Sequence, residues 1–301
     1  MTETANQPTD ISVVKDNEQA LVKATHQEVA KNKTTSAISA QRQLLGLAAK
    51  FNVEGGLVAN DNKIPLQDRT QIRAAKDLLR KQQNIEAIIK CSVQYCSSQQ
   101  VVDRADHDWF CRFIDLCNNI SNKTMQDLWA KILAGEMTSP GSFSYKSLKT
   151  FHTMSMIEAK LFARACSLSI KDNSSHNIRI ISGGYQPPSL LNFFKKNRNI
   201  KLNLSQFGLT YAELLTLADN QLIYIQETET ATFSIGEGLQ LNFHGTNLQL
   251  TAKKNQAVLC FYKFTPIGAE LAQLISDNPD QSYLTTLKSK LAPLFSISDN
   301  A

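Results

Sequence analysis

Leu128 to Ser144 reads LWAKILAGEMTSPGSFS, and its interpretation decides whether the middle of the chain is a packed helical core or a reactive loop. Met125, Leu128, Trp129, Ile132 and Leu133 recur at i, i+3, i+4, i+7 and i+8, the spacing that places apolar side chains on one face of an α-helix. Ala134 is small enough to admit a close neighbour, and Gly135 is expected to end the helix in a left-handed conformation, which a side chain resists. Thr138 to Gly141 then reads as a turn built on Pro140 and Gly141. Ser144 follows as the N-cap of a helix carrying Leu148 and Phe151, with Phe143 folded back as an apolar plug. Glu136 alone is left without a duty. Either it accepts hydrogen bonds from the backbone of the turn that follows or it faces a partner, and local acceptance is the expected reading.

Working outward, Trp109, Phe110, Phe113, Ile114 and Cys117 line a preceding helix, and residues 118–122 separate it from the next, with Ser121 as the expected cap. Both tryptophans of the chain lie in this helical pair, so the centre of the core is expected here. Ser155 and Glu158 form a capping box ahead of Ala159, Phe162, Ala163 and Cys166. Upstream, no Gly or Pro interrupts Leu66 to about Ser97. Ile72, Ala75, Leu79, Ile85, Ile88, Ile89 and Val93 give that stretch an amphipathic pattern broken at Gln82 and Glu86. A sustained coiled coil is therefore not expected, and packing against its own domain is. Ser36 to Phe51 reads as a short helix, and residues 1–35 are too poor in apolar residues to order themselves, which makes them a disordered tail.

Downstream of Ile170 the texture changes. KDNSSHN reads as a linker, NIRIIS as a short apolar run and GGYQPP as a turn cluster. Thr210 and Glu213 form another capping box feeding Leu214, Leu217, Leu222 and Ile223. TATFSI, GLQLNF, NLQLTA and AVLCFYKF then alternate like strands, the two LQL triplets as hairpin partners. Thr265 and Pro266 open a helix through Ile267, Leu271, Leu274 and Ile275. The expected fold is α+β, mainly α: a helical domain over 36–170, then a winged-helix-like domain over 171–297 with a small antiparallel sheet.

At 301 residues, with 42% hydrophobic and 20% charged residues, the body of the chain falls in the ordinary globular class. Its net charge, 32 − 27 = +5, permits an anionic partner without requiring one. No run of about eighteen apolar residues is present and the N-terminus lacks a signal pattern, so no membrane association is expected and the expected address is cytoplasmic. The six cysteines do not form a small disulfide framework and read as reduced, small hydrophobes.

Candidate chemistry is sparse. Ser182, Gly183 and Gly184 follow an apolar run, but no Lys-Ser/Thr pair opens a helix behind them as a phosphate loop demands. Asp103, His107, Cys111 and Asp115 recur every four residues without the paired C-x-x-C or H-x-x-x-H elements of a zinc site, so no metal or cofactor is expected. His152 lies near Ser142 and Ser144 in sequence with no nucleophile elbow around them, and no catalytic residue is assigned. FFKKNRNIKLN gathers Lys195, Lys196, Arg198 and Lys201, which could contact phosphates, yet the helix that follows carries Glu213 and Asp219 and no basic residue.

Asp108 to Cys166 as a whole resembles the signature of a bacterial family of unknown function, through Trp129, Ala134, Gly135, Glu136, Pro140, Gly141, Phe143 and Ser144. YKFTPIGAELAQLI resembles its closing element, and proteins similar to abortive-infection and phage-defence accessory factors carry a looser LWAKILAGE helix. The resemblance implies a bacterial cytoplasmic protein, mostly helical with an appended sheet-containing region, and carries over no catalytic residue or cofactor. The expected function is a non-enzymatic, regulatory interaction protein that binds another protein or itself, with Glu136 as one candidate contact. The alternatives are a nucleic-acid-binding regulator using Lys195, Lys196, Arg198 and Lys201, and a phage-defence factor.

Overall fold

The computed structural model describes residues 39–51, 53, 64–96, 105–172, 177–188, 199–275 and 278–299. Residues 1–35, read above as a tail, lie outside them. The chain divides into two units, 1–78 and 79–301. Among the described residues there are nine α-helices and eight strands, so the α+β class holds.

The first unit contains helix α1 (Ala40–Lys50), capped by the Ser39 hydroxyl, and the start of the long helix α2 (Leu66–Tyr95). No residue of α1 is buried.

In the second unit, the rest of α2 is followed by α3 (His107–Cys117), α4 (Lys123–Thr138), α5 (Tyr145–Thr153) and α6 (Met156–Ser167). The face that α2 buries carries Asn84, Ile88 and Ser92, whereas Leu79, Ile89 and Val93 of the expected apolar stripe are exposed. Polar bonding explains the choice of face, because Asn84 donates to Asn118 O at 2.9 Å and accepts from Gln126 at 3.3 Å. Gln82 and Glu86, where the stripe is interrupted, hydrogen-bond to each other at 2.7 Å on the exposed side.

Helix α4 is the centre of the helical part. Trp129, Ala130, Ile132, Leu133 and Ala134 are buried, as are Gln126 and Glu136, so burial extends well beyond one stripe. Phe113 meets the Trp129 ring edge-on at 5.4 Å and Phe151 lies against its other side at 5.4 Å, the aromatic core expected of this helical pair. The cap of α4 is Asn122, whose Oδ1 accepts from Met125 N, and not Ser121; Ser121 instead receives the Asn84 amide at 3.2 Å. The capping boxes at Ser155/Glu158 and Thr210/Glu213 both form, and Thr265 caps the helix that Pro266 opens.

The boundary expected at Ile170 lies at the first residue of the first strand, and one hydrophobic cluster runs from Ile88 through both helices and sheet to Phe295. The sheet comprises β1 (Ile170–Asp172), β2 (Ile178–Tyr185), β3 (Asn199–Lys201), β4 (Thr228–Glu229), β5 (Gly238–Phe243), β6 (Thr246–Ala252), β7 (Val258–Lys263) and β8 (Phe295–Asp299). Its order is β4-β7-β2-β1-β5-β6-β8, with β3 also on β2 and every pairing antiparallel. Helix α7 (Tyr211–Asp219) precedes β4, α8 (Pro266–Ala272) follows β7, and α9 (Gln281–Leu291) precedes β8. Helix α7 stops short of Leu222 and Ile223. Leu222 is buried and Ile223 bridges to Phe264.

The LQL triplets pair as expected, Leu239 with Leu250, Gln240 with Gln249 and Leu241 with Leu248. His244 and Gly245 supply the positive φ values, 47° and 88°, that a two-residue hairpin turn needs. TATFSI is not a strand: Phe233 makes a single bridge to Ala257. Gly183 and Gly184, expected in a turn, lie inside β2. A Cβ at Gly183 would stand 2.2 Å from Ile200 O, and one at Gly184 would stand 2.8 Å from Val258 O, so close backbone approach and not turn geometry requires glycine there. Helix α9 covers the sheet through Tyr283, Leu284, Leu287 and Leu291, and the Tyr283 hydroxyl donates to Ile181 O at 2.8 Å. Arg179 pairs with Asp172 at 2.7 Å, both buried, under the Phe261 ring.

Candidate functional site

The Pro140–Ser144 loop is held by two carboxylates and an indole. Helix α4 continues past Gly135 to Thr138, so Gly135 is not the left-handed end expected of it; the positive φ, +88°, belongs to Gly141 in the turn. Gly135 is needed for packing, because a Cβ there would approach Phe143 Cε2 to 2.8 Å. The extra helical turn places Glu136 under the loop. Its Oε1 accepts from Gly141 N at 2.8 Å and its Oε2 from Phe143 N at 2.9 Å, while the residue is only 3% exposed. Trp109 Nε1 donates to Phe143 O at 2.6 Å, and Glu270 of α8 accepts from Ser144 N at 2.6 Å. Phe143 is buried as the expected plug, and the Ser144 hydroxyl caps α5 by accepting from Ser147 N.

The hydroxyls of this loop are engaged locally. Ser142 Oγ donates to Ser139 O at 2.5 Å, and Ser144 Oγ lies 3.1 Å from Ser147 Oγ. His152 is exposed and packs edge-on to Trp129 at 6.3 Å, and among the described residues it makes no hydrogen bond to either serine. His107 and Cys111 come within 3.7 Å on the exposed side of α3, and Asp103 lies outside the described residues. Among the described residues no three His, Cys, Asp or Glu side chains are arranged to hold a metal ion.

Four of the six thiols are held in the protonated form. Burial pushes Cys117 and Cys166 up to about 12, and Cys260 is raised to about 11 by burial and then by Glu227 and Glu229. Cys91 is raised by burial and by its contact with Asp127. A thiol raised in this way carries little thiolate at neutral pH. At the same surface Tyr95 donates to Asp127, which lowers the carboxyl and lifts the phenol to about 12, and Lys131 pairs with Asp127 at 3.0 Å.

Two concavities are lined by described residues of the second unit. The larger, about 740 Å³, has an apolar floor of Leu128, Ala163, Leu274 and Ile275 beside Lys160, Arg164 and Asp280. Its ionic pair is structural: Arg164 bonds Asp280 at 2.7 Å and also donates to Phe207 O, while Asp280 caps α9. The smaller, about 370 Å³, is lined by Asn199, Ile200, Lys201, Ser289, Lys290 and Pro293. Lys201 of the basic run ends β3 and is exposed there, while Lys195, Lys196 and Arg198 lie outside the described residues. The sequence reading missed Lys290. Its signal was the KSK triplet of α9, which resembles ordinary compensation of a helix C-terminus.

No helix among the described residues is long and apolar enough to cross a membrane. A family described as "Protein of unknown function (DUF2806)" matches residues 68–288, and the chain belongs to that family. The matched span holds the whole Pro140–Ser144 loop and begins after α1. No curated protein and no solved structure matches the chain.

Proposed function

We propose that this DUF2806 protein is a non-enzymatic, cytoplasmic interaction protein that binds another protein, or a second copy of itself, through helix α1. One observation carries the reading: α1 is a formed helix with nothing buried, and its Leu44, Leu47 and Phe51 are 67%, 51% and 53% exposed. These residues stand at i, i+3 and i+7, so they form one stripe. Burying each is worth about 1.5–3 kcal/mol relative to leaving it in water. An eleven-residue helix is also marginal on its own, and a covering partner stabilises both the stripe and the helix.

The engaged loop hydroxyls, the doubly bonded Glu136 and the raised thiols support the non-enzymatic part, and six free cysteines suit a reducing compartment. The order α7, β5 to β7, α8 supports the winged-helix likeness, although the sheet those strands join is larger than a wing.

Light scattering over a concentration series, together with affinity co-purification, tests the reading on the full chain and on Leu44→Glu/Leu47→Glu. The wild type should self-associate or retain a stoichiometric partner, and the double variant should lose it without a change in the main thermal transition. A wild-type chain that stays monomeric at every concentration and retains nothing overturns the proposal.

A further inference from the structure

The geometry points to a phosphate-contact site for nucleic acid in the groove between β3 and the last turn of α9, independent of the interaction proposed for α1. Among the described residues its polar lining consists of Lys201 and Lys290 with Ser289 and Asn199, beside Ile200 and Pro293, and none of these is a carboxylate. Two ammonium groups, a hydroxyl and an amide can all donate, which suits an acceptor-only anion such as a phosphodiester.

Compensation of the α9 dipole accounts for a lysine in its last turn, and Lys288 has that place while also pairing with Asp299 at 2.6 Å. Lys290, two residues on, faces the groove with Lys201, and neither makes an ion pair among the described residues. Nearby on the sheet, Glu227 accepts from Ser182 at 2.5 Å and Glu229 from Tyr185 at 2.7 Å, so both carboxylates have other donors.

The form of the groove selects among phosphate ligands. Asn199, Lys201, Ser289, Lys290 and Pro293 are all exposed, whereas a small-molecule site encloses most of its ligand. A polymer backbone can cross an open groove of this kind. Among the described residues no aromatic side chain lines it for base stacking and no Arg offers a bidentate fork, so the contact made by Lys201 and Lys290 is to backbone phosphate.

The test is fluorescence anisotropy of the full chain with a fluorescein-labelled DNA duplex across a salt series. Wild type is compared with Lys201→Ala/Lys290→Ala and with a charge-matched control on α5, Lys146→Ala/Lys149→Ala, all of these lysines being exposed. Two phosphate contacts at about 0.9 each give a log–log salt slope about 1.8 steeper for wild type than for the groove variant, or about twelvefold more affinity lost between about 50 and 200 mM salt. The control should keep the wild-type slope. A groove variant with the wild-type slope, or a wild type that does not bind at the lowest salt, overturns the site. So does a variant that loses binding only to phosphatidylglycerol vesicles, which would assign the groove to a lipid headgroup.

Discussion

The Pro140–Ser144 loop and the β3–α9 groove are opposite solutions to placing charge next to backbone. In the loop, Glu136 is buried and both its oxygens are satisfied by Gly141 and Phe143 amides, so its charge is used up in holding the chain. In the groove, Lys201 and Lys290 are exposed, and no ion pair among the described residues uses their charge. A satisfied buried carboxylate is a stability feature, because an amide left without its acceptor costs more than the bond itself contributes. Exposed cations add little to stability and are available to a partner. Substitutions in the two regions should therefore separate cleanly, one set moving the melting transition and the other moving binding.

The largest effect is expected at Phe143. Phe143→Ala empties the space against Gly135 and should cost about 3–5 kcal/mol, measured by urea denaturation. Glu136→Ala removes the acceptor of two loop amides and should cost about 2–4 kcal/mol in the same experiment. A cost near zero would return Glu136 to the role of partner contact.

Asp280 provides the pH-dependent comparison. Burial alone would raise its carboxyl, but the bonds from Ser282, Tyr283 N and Arg164 outweigh burial and hold it below the ordinary range. A carboxyl lowered by folding contributes fully above its unfolded value, at about pH 4, and loses that contribution as pH falls through the lowered folded value. The melting-temperature gap between wild type and Asp280→Asn should be constant from about pH 5 upward and narrow in acid below about pH 4. A gap that widens in acid contradicts the linkage.

Trp109→Phe keeps the ring and removes the donor to Phe143 O, at an expected cost of about 1 kcal/mol. Smallest of all is the effect of Lys201→Ala/Lys290→Ala on stability, with the melting temperature expected to match wild type in a differential scanning run. A clear drop would show that the groove lysines hold the fold, and the contrast with the loop would fail.

Features resting on neighbours in sequence were legible from the start. The capping boxes at Ser155 and Thr210, the LQL hairpin, the Trp129 stripe and the Ser144 cap each involve groups a few residues apart or a simple period. The glycines were misread. Gly135 and Gly183 look like a helix end and a turn because those are glycine's usual local uses, yet here one admits the Phe143 ring and the other a neighbouring strand. The buried face of α2 was also misplaced, since Asn84 and Ser92 look polar, and their burial is made favourable by the bonds of Asn84 with Asn118, Ser121 and Gln126 and by that of Ser92 to Ile88 O. Of the candidate site residues, Glu136 was legible as a turn acceptor and Lys201 as a cation, but Lys290 was not, because its partner in the groove lies on a distant strand.

By itself the sequence determined most of the helices, the caps at Ser144, Ser155, Thr210 and Thr265, the central hairpin and the aromatic centre, because propensity, capping and periodicity are short-range and each residue carries its part of the signal. Only the tertiary structure decided that Glu136 and Glu270 close on one loop, that eight strands join in a single sheet, and that Lys201 and Lys290 share a groove. Those outcomes depend on which remote surfaces meet, and the meeting is settled by summed burial and polar satisfaction across the whole unit, which no local stretch encodes.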